Sequence, residues 1–277
     1  MPKPSIDVVK KISELNKKKR NKIAVGVLHD YPLSIESLKK ASEFMDLVVV
    51  GPKKIAGFDF VESTDAHDLV KLAKENKVDA VFRGNFDAVD LYDAIHELYS
   101  FVGSVVSVSP TVVKKINTID ANLNALRCFM PISPSNYKGV ASKIKDVDAN
   151  IKFFEEFGVK PRLGFLSAGK PGDVLEGIPE IDRTITEAEF LVNWYKKKGY
   201  EAIHFNHQSE YAVRDSDIVV FPDGISGNQG ARALMFFGDT VTLGAISVNL
   251  PLVYAQTAEA FRDWSDLLPF LNGYLNR

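Results

Sequence analysis

The sequence predicts an α/β protein built from two lobes, and three observations support that prediction. Short apolar runs rich in β-branched residues alternate with helix-forming segments over almost the whole chain. Several runs are apolar throughout, which is typical of parallel strands that are buried on both faces. The chain has 277 residues. Because that exceeds the commonest size of a single domain, we expect two lobes of roughly 130 residues, each large enough for its own core.

The first lobe is expected to begin with a helix and then to repeat strands and crossover helices. Its apolar runs become strands of one sheet, and the amphipathic segments between them become helices that cover the sheet through right-handed crossovers. The strands are predicted at 23–28, 47–50, 78–83 and 105–108, and the helices at 6–19, 34–45, 66–75 and 91–99.

The second lobe follows a shift in composition near 131–139. Its strands are predicted at 162–166, 202–205, 218–221 and 243–248, and its helices at 141–157 and 187–198. The last segment, 259–275, is amphipathic and is expected to return to the first lobe. We therefore assign 1–135 with 252–277 to the first lobe and 136–251 to the second.

Composition and charge exclude several classes of protein. A formal net charge of −2 and a pI near 6.2 leave no basic footprint for nucleic acid. No apolar run reaches the roughly 18 residues of a membrane-spanning helix, and the basic N-terminal stretch lacks the apolar core of a secretory signal. Cys128 is the single cysteine, so no internal disulfide can form, and we expect a cytoplasmic protein.

A glycine-rich stretch in the second lobe is the strongest candidate for a ligand site. The apolar run 218–221 ends at a proline, and glycines at every third position of 224–230 precede a helix predicted at 231–237. Ligands of open α/β sheets bind beyond the carboxyl ends of the strands, where 222–230 is expected to form a loop. Glycine amides and a helix start favour an anion. A plain strand-to-helix turn with Asn228 as the helix cap explains the spacing equally well.

Several familiar motifs are absent. The glycines follow G-x-x-G-x-x-G and not the dinucleotide pattern, and Gly169-Lys170 lacks the remainder of a P-loop, so neither NAD nor ATP is expected. No G-x-S-x-G elbow is present, so the motifs give a hydrolase no nucleophile.

The histidines offer weaker candidates. His204 and His207 would splay apart at a strand end, and no set of cysteines or carboxylates accompanies them, so no metal site is predicted. His29 beside Asp30 is a candidate proton-transfer pair, although a surface histidine is the commoner explanation.

Three stretches carry a resemblance to a known family. In order and spacing, 159–167, 217–230 and 243–246 resemble successive signatures of the phosphate acetyl- and butyryltransferase family, over roughly residues 80–251. Arg83-Gly84-Asn85 is similar to the strand-ending glycine motif of that family's first domain. More narrowly, the whole chain resembles the methanogen family named methyltransferase subunit X, or methanogenesis marker protein four, a divergent relative of those acyltransferases.

The resemblance implies both a fold and a chemistry. The implied fold has two α/β/α lobes of the isocitrate-dehydrogenase-like, phosphotransacetylase type, with a ligand cleft between them. In the enzymes of the family, that cleft binds coenzyme A and phosphate, and an acyl group moves between them. The cofactor of this chain stays open, with coenzyme A or another phosphorylated carrier as the expectation.

Ligand-contacting positions of the family carry over in part. Ser167 matches the serine of one loop, and Asp223, Gly227 and Asn228 match a second loop, so an anion is expected between the lobes at 222–230 and 167–170. The predicted anion-binding set, drawn from these loops and from the strand-ending motif of the first lobe, is Ser167, Lys170, Asp223, Gly227, Asn228, Gly230, Arg83 and Gly84.

The serine-arginine pair that binds phosphate in the family has no match. The corresponding segment, 253–257, contains no arginine. Arg262 and Asp263 are the candidates to replace the pair and a downstream aspartate, although on a helix they are more often a surface pair. Glutamine or threonine cannot make the bidentate phosphate contacts of arginine, so ordinary acyl-CoA phosphorolysis is doubtful.

Two functions are consistent with these observations. The first is a transferase-like protein that binds a phosphate-bearing acyl or one-carbon carrier and is related to the methyltransferases of methanogens. The alternative is a non-catalytic binding or regulatory subunit that kept the fold. The expected partners are a phosphate-bearing small molecule, methyltransferase subunits and a second copy in a homodimer, with neither nucleic acid nor a membrane. The chain shows no glycine-rich S-adenosylmethionine loop and no cobalamin-binding D-x-H-x-x-G motif.

Overall fold

The computed structural model describes residues 4–116, 121–133, 139–174 and 176–277. It is a mixed α/β structure, which confirms the predicted class. The helices are α1 (Pro4–Leu15), α2 (Pro32–Ala41), α3 (Ala66–Lys74), α4 (Ala88–Tyr99), α5 (Gly139–Glu156), α6 (Pro179–Lys197), α7 (Ser209–Asp215), α8 (Gly224–Phe237) and α9 (Leu267–Leu275). Among these described helices, none is both long and apolar enough to cross a membrane.

The strands are short, and most of them are three to seven residues long. They are β1 (Lys22–Gly26), β2 (Asp46–Gly51), β3 (Asp59–Glu62), β4 (Ala80–Phe82), β5 (Ser107–Val108), β6 (Pro110–Ile116), β7 (Ala121–Met130), β8 (Leu163–Phe165), β9 (Ala202–His204), β10 (Ile218–Val220), β11 (Thr240–Thr242), β12 (Ala245–Ser247) and β13 (Tyr254–Gln256).

Backbone contacts divide the chain into two compact units. The first unit comprises 10–105 and 243–277, and the second comprises 106–242 together with the chain up to Val9. The lobe boundary predicted between residues 135 and 136 lies outside the described residues.

The first unit is organised around a mainly parallel sheet. Within 10–105 and 243–277, the strands of this sheet follow the order β3-β2-β1-β4-β13-β12, and all of these neighbours pair in parallel except β12 with β13. The apolar runs of β1 and β2 are buried on both faces, as expected of central parallel strands. The core that α3 and α4 complete on one face of this sheet includes Ala24, Val48, Val50, Leu69, Val70, Val81, Phe86, Leu91, Ile95 and Tyr254.

One predicted strand lies in a different unit from the one that the sequence suggested. The pattern at 243–248 was assigned to the second lobe, whereas β12 lies in the first unit, with Ala245 opposite Gln256 and Ser247 opposite Tyr254. Tyr254 is fully buried in the core of the first unit and anchors the strand pair there. Apolar periodicity identifies a strand but does not specify the sheet that the strand joins.

The second unit contains a mixed sheet with the strand order β11-β6-β7-β10-β8-β9. Strands β7, β10, β8 and β9 are parallel, and β6 is antiparallel to both of its neighbours. No strand is predicted in 110–130 from the sequence, because lysines and asparagines interrupt the apolar pattern there. The buried residues between this sheet and the helices α7 and α8 include Val113, Phe129, Leu166, Ala212, Val213, Val219 and Phe221.

Three helix starts differ by several residues from the prediction, and the first is α6, which begins at Pro179 and not at 187. Helix α8 begins at Gly224 and not at 231, so most of the predicted loop 222–230 is helical. Its N-cap is Asp223 and not Asn228, because the Asp223 carboxylate accepts hydrogen bonds from the first free amides. Helix α9 begins at Leu267 and not at 259.

Candidate functional site

The carboxyl ends of three neighbouring strands form one edge of the first unit's sheet. Strand β4 pairs in parallel with β1 on one side and with β13 on the other. The segments that follow these strands therefore start side by side, at Val27, Arg83 and Thr257. This edge is the usual position of a ligand site in an α/β sheet.

Gly84 and Asn85 fix the loop after β4 against the end of β1. Gly84 has a φ of +59°, and a Cβ there would lie 1.8 Å from the carbonyl oxygen of Gly26, so a side chain is excluded. The Asn85 amide oxygen accepts from the backbone N–H of Leu28 at 2.6 Å, and its Nδ2 donates to the carbonyl of His29 at 2.8 Å. The two loops are thus held together by one buried side chain.

Arg83 is the most unusual residue of this edge. It is 4% exposed, and its guanidinium donates to the carbonyl of Phe86 at 2.7 Å and to the carbonyl of Thr257. Within the part of the chain that the structure describes, its buried Nε has no hydrogen-bond partner, and neither has the buried hydroxyl of Thr257. Among the ion pairs of the described residues, none includes Arg83. A buried positive charge with a free donor is costly unless an anion compensates it.

The segment 253–257, where the family resemblance implies a serine-arginine pair, is held by other contacts. Nε2 of Gln256 donates to the Tyr92 hydroxyl at 2.6 Å, and the Tyr254 hydroxyl donates to Oε1 of Gln256 at 3.2 Å. Burial raises the pKa of both Tyr92 and Tyr254, so both hydroxyls stay neutral near pH 7. Gln256 is therefore part of a structural network, and the guanidinium that reaches this segment is that of Arg83.

Arg262 and Asp263, the two candidate catalytic residues, follow β13 in the same unit. The Arg262 guanidinium lies 3.7 Å from the centre of the Tyr31 ring, a cation–π contact with the residue that precedes α2. Asp263 accepts from the N–H of Ser265 at 3.0 Å and from the Ser37 hydroxyl at 3.2 Å. Burial raises the pKa of Asp263, but these hydrogen bonds outweigh it and hold the pKa below its ordinary value.

The predicted proton-transfer pair of His29 and Asp30 does not form a hydrogen bond among those of the described residues. Asp30 instead pairs with Nζ of Lys53 at 2.9 Å. The hydrogen bond from Lys53 lowers the pKa of Asp30. The His29 ring stacks at a tilt against Tyr31, with ring centres 5.8 Å apart.

The second unit has its own polar edge, at the carboxyl ends of β8 and β9. Ser167 follows β8, is 2% exposed, and donates its hydroxyl hydrogen to the carbonyl of Gly169 at 2.6 Å. His204 ends β9, and its Nε2 lies 2.8 Å from the Ser167 oxygen. Nδ1 of His204 lies 2.7 Å from a carboxylate oxygen of Glu189 on α6.

This linked set of three residues is not predicted from the sequence. From the sequence, Ser167 is predicted to contact a ligand, and His204 is considered and rejected as a metal ligand. Glu189 is not singled out. The positions of Ser167 and Glu189 are 37 and 15 residues from His204 along the chain. The usable signal was that Ser167 directly follows the predicted strand 162–166 and that His204 lies near the end of the predicted strand 202–205. Among the described residues, no group of three or more metal-ligating side chains exists.

The glycine-rich segment is built for close packing. A Cβ on Gly227 would lie 1.9 Å from the carbonyl oxygen of Pro131, and a Cβ on Gly230 would lie 2.9 Å from the Phe221 ring. Nδ2 of Asn228 donates to the carbonyl of Ile132 at 2.9 Å. These contacts hold the start of α8 against the end of β7.

Asp223 and Lys170 complete the predicted anion-binding set. One carboxylate oxygen of Asp223 accepts from the amides of Ile225 and Ser226 at 2.9 and 2.8 Å. The helix start is therefore occupied by a carboxylate of the chain itself. Lys170 is exposed, and its backbone N–H donates to Asp173 at 2.9 Å. Loops 167–170 and 222–223 follow the adjacent parallel strands β8 and β10, as predicted.

A buried ion cluster lies at the opposite end of the second unit's sheet. Asp217, which precedes β10, accepts from Nε of Arg162 at 3.0 Å and lies 3.3 Å from Nη1 of Arg127. Arg127 also donates to the carbonyls of Val213 at 2.6 Å and Arg214 at 3.0 Å. The cluster joins three strands and the end of α7, which is a structural role.

Sequence comparisons confirm the predicted resemblance. No family model matches the chain. Proteins named "Putative methyltransferase mtx subunit X" are similar to it: the one from Methanosarcina barkeri is 28% identical over 254 residues, covering 86% of this chain and 88% of that protein. The one from Methanosarcina mazei is 26% identical over 250 residues, covering 86% of this chain and 85% of that protein.

Solved structures with the same fold include phosphotransacylases. A branched-chain phosphotransacylase from Enterococcus faecalis has a TM-score of 0.67 at 16% identity and covers 92% of this chain and 98% of its own. A phosphotransacetylase from Streptococcus pyogenes has a TM-score of 0.60 at 13% identity and covers 97% and 98%. The phosphotransacetylase-type fold expected from the sequence is thereby confirmed.

Proposed function

We propose that this protein binds a phosphate-bearing acyl or one-carbon carrier through Arg83 at the carboxyl edge of the first unit's sheet. It would do so as a transferase-like protein related to methyltransferase subunits. The observation that carries the proposal is the buried guanidinium of Arg83, which donates to the carbonyl of Thr257 and has, among the described residues, neither a carboxylate partner nor a hydrogen bond at Nε.

The physical argument concerns the charge of Arg83. Arginine stays protonated in proteins, so it cannot remove its charge by losing a proton. Two carbonyl groups satisfy part of its donors but supply no negative charge. A phosphate oxygen would supply both the charge and an acceptor for Nε, and it can accept from two guanidinium donors at once.

The surrounding residues suit a phosphate. Gly84 keeps the loop that follows Arg83 packed against the carbonyl of Gly26 at the same edge, which a side chain would prevent. The Thr257 hydroxyl is a donor for a second oxygen. In this arrangement Arg83, which extends from β4 to Thr257, takes the role for which the resemblance implies an arginine within 253–257.

The relatives support the class of ligand. The solved structures that share the fold include phosphotransacylases, and sequence relatives are named as a methyltransferase subunit. A carrier with a phosphate group is compatible with both. The word subunit in those names supports assembly with other methyltransferase subunits, which copurification of tagged protein from the native cells would test.

The second candidate is a binding or regulatory subunit without catalysis. It is favoured by Gln256, whose amide is fully engaged with Tyr92 and Tyr254 at the place of the family's arginine. Loss of one preorganised contact to transition-state charge typically lowers a rate by about 100- to 1000-fold. Under this alternative, the carrier binds and no group is transferred.

Calorimetry with inorganic phosphate and with coenzyme A tests the proposed site. The wild-type protein is expected to bind at least one of them, and Arg83→Met is expected to abolish binding. Arg83→Lys should weaken binding, because an ammonium lacks the bidentate geometry of a guanidinium. Arg277→Met, which removes an exposed arginine of the same unit, is the matched control. Unchanged binding in Arg83→Met would refute the site.

An assay with acetyl-CoA or butyryl-CoA and phosphate then separates the two candidates. We expect weak turnover at most. Turnover that Arg83→Met removes would place Arg83 in catalysis, whereas binding without turnover would favour the regulatory subunit. The predicted set in the second unit, from Ser167 and Lys170 to 222–230, remains a second proposed anion locus, which a variant of Asp223 tests.

A further inference from the structure

Ser167, His204 and Glu189 form a hydrogen-bonded chain with the order hydroxyl, imidazole and carboxylate. The Ser167 oxygen lies 2.8 Å from Nε2 of His204, and Nδ1 of His204 lies 2.7 Å from Oε1 of Glu189. Both distances are within the range required of a nucleophile beside its base and of a base beside its orienting group. The imidazole is almost completely buried, whereas the Glu189 side chain is 53% exposed.

The direction of each hydrogen bond follows from the chemistry of the groups. The ionised carboxylate of Glu189 only accepts, so Nδ1 of His204 carries the ring hydrogen. In the neutral imidazole, Nε2 is then left as an acceptor beside the Ser167 hydroxyl. That hydroxyl has two acceptors, Nε2 of His204 and the carbonyl of Gly169 at 2.6 Å. Rotation about the C–O bond moves its hydrogen from one to the other.

The backbone around Ser167 is fixed from several sides. Its N–H donates to the carbonyl of Asn206 at 2.8 Å, and the next amide, that of Ala168, donates to the buried Thr184 hydroxyl at 3.0 Å. A Cβ on Gly169 would lie 2.8 Å from a methyl group of Ile181, so the loop packs closely on α6. Such support holds a reacting group in one geometry.

We propose that Ser167 is a nucleophile toward small activated acyl groups, such as short esters and thioesters, with His204 as its general base and Glu189 as a positioning residue. The Ser167 oxygen forms a bond to the acyl carbon while its proton passes to Nε2 of His204. The bond from that carbon to the leaving oxygen or sulfur breaks, and His204 returns the proton to the leaving group. Water then releases the acid by the same steps.

The burial of Ser167 limits the size of the acyl group that can reach its oxygen. Ser167 is 2% exposed, and the neighbouring Ala168 is exposed. We therefore expect a short acyl group such as acetyl to react in preference to a long one. This activity requires neither Arg83 nor the carrier proposed above, so the failure of one proposal leaves the other intact.

Covalent labelling of the full chain with a short-chain fluorophosphonate tests the nucleophile. We expect one modification, mapped to Ser167 by peptide mass spectrometry, and its loss in Ser167→Ala. His204→Gln is expected to slow labelling by at least about 100-fold. Ser42→Ala is the matched control, because the Ser42 hydroxyl also donates to a carbonyl but has no imidazole partner. The absence of label on Ser167 in the folded wild-type protein would overturn the proposal.

Hydrolysis of p-nitrophenyl acetate tests the role of Glu189. Glu189→Gln is expected to lower kcat about 10-fold or more with KM unchanged, and Glu189→Asp to recover part of the loss. A change in KM alone would contradict a positioning role. Ser167→Cys guards against misfolding of the alanine variant. Its new thiol lies beside the base His204 and should react with iodoacetamide, whereas Cys128 should not, because burial raises the pKa of its thiol. An unreactive thiol in the folded Ser167→Cys protein would also count against the proposal.

Discussion

Arg127 in the second unit and Arg83 in the first are both almost fully buried, at 2% and 4% exposure, but their surroundings differ. Arg127 lies 3.3 Å from the carboxylate of Asp217, which also binds Arg162. Burial lowers the pKa of Arg127 to about 10, so the group is still charged at neutral pH. Arg83 has two carbonyl partners and, among the described residues, no carboxylate.

The difference separates a structural charge from a charge that is held for a ligand. A buried ion pair that is fully hydrogen-bonded can join strands without binding anything else. A buried arginine without a counter-charge lowers the stability of the empty protein and increases its affinity for an anion. Breaking the ion pair of Arg127 should therefore lower stability, whereas removing the charge of Arg83 should raise it.

The largest effect is expected at Asp217. Asp217→Ala leaves two guanidinium groups without their shared carboxylate, and we expect the free energy of unfolding to fall by about 3–5 kcal/mol. Urea denaturation followed by circular dichroism measures the change. Asp215→Ala, which removes a neighbouring carboxylate that pairs with the more exposed Arg214, should have a much smaller effect. Equal losses of stability in the two variants would mean that the buried ion cluster contributes no more to stability than the more exposed ion pair of Asp215 and Arg214.

A third buried ionisable group, Asp146, shows that a carboxyl group can become neutral where an arginine cannot. Asp146 on α5 is buried and forms no ion pair among the described residues, and burial raises its pKa to about 7. A carboxyl group can escape an unfavourable charge by keeping its proton. Arg83 has no such route, so an anion is needed to compensate it.

Asp146 also gives a pH prediction. Its pKa is about 7 in the folded chain against an ordinary value of 3.8, so between these values the folded state holds a proton that the unfolded state has lost. Stability should therefore fall as the pH rises from about 4 to about 7, by up to about 4 kcal/mol. Asp146→Asn should flatten that part of the profile, which denaturation at a series of pH values would measure. An unchanged profile would mean that another group causes the dependence.

Arg83→Met should stabilise the protein in the absence of ligand. Replacing an uncompensated buried charge by an apolar chain of similar length is expected to raise the free energy of unfolding by about 1–2 kcal/mol. In saturating phosphate the wild type should become the more stable of the two proteins, because a ligand at 100 times its Kd adds about 2.7 kcal/mol to the free energy of unfolding of the wild type alone. If the variant is less stable than the ligand-free wild type, Arg83 is a structural residue like Arg127.

The sequence was sufficient to predict the fold, but not the start of α8 or the partners of the two buried arginines. Apolar runs such as those of β1 and β10 fix the strands, but the spacing of the glycines does not by itself assign them one role. Gly224 and Gly227 could equally mark a loop or the first turn of a helix. In the structure they lie in the first turn of α8, because the Asp223 carboxylate caps that helix. Arg83 and Arg127 are both single arginines next to apolar runs. Their partners, Thr257 and Asp217, are 174 and 90 residues away along the chain.

The smallest predicted effect concerns the helix start in the second unit. Asp223→Ala removes the carboxylate that accepts from the amides of Ile225 and Ser226, and the loss of an N-cap typically lowers stability by about 1 kcal/mol. The two freed amides and the dipole of α8 would then face solvent, where an inorganic anion can replace the carboxylate. Added phosphate should therefore recover part of the loss in Asp223→Ala, measured as a shift in Tm, beyond any shift of the wild type.

The Arg83→Met background removes the first anion site from the measurement. Recovery there would mean that Asp223 occupies an anion site of the second unit, whereas a loss that phosphate does not change would leave Asp223 as a structural cap and Arg83 as the anion-binding residue of the chain.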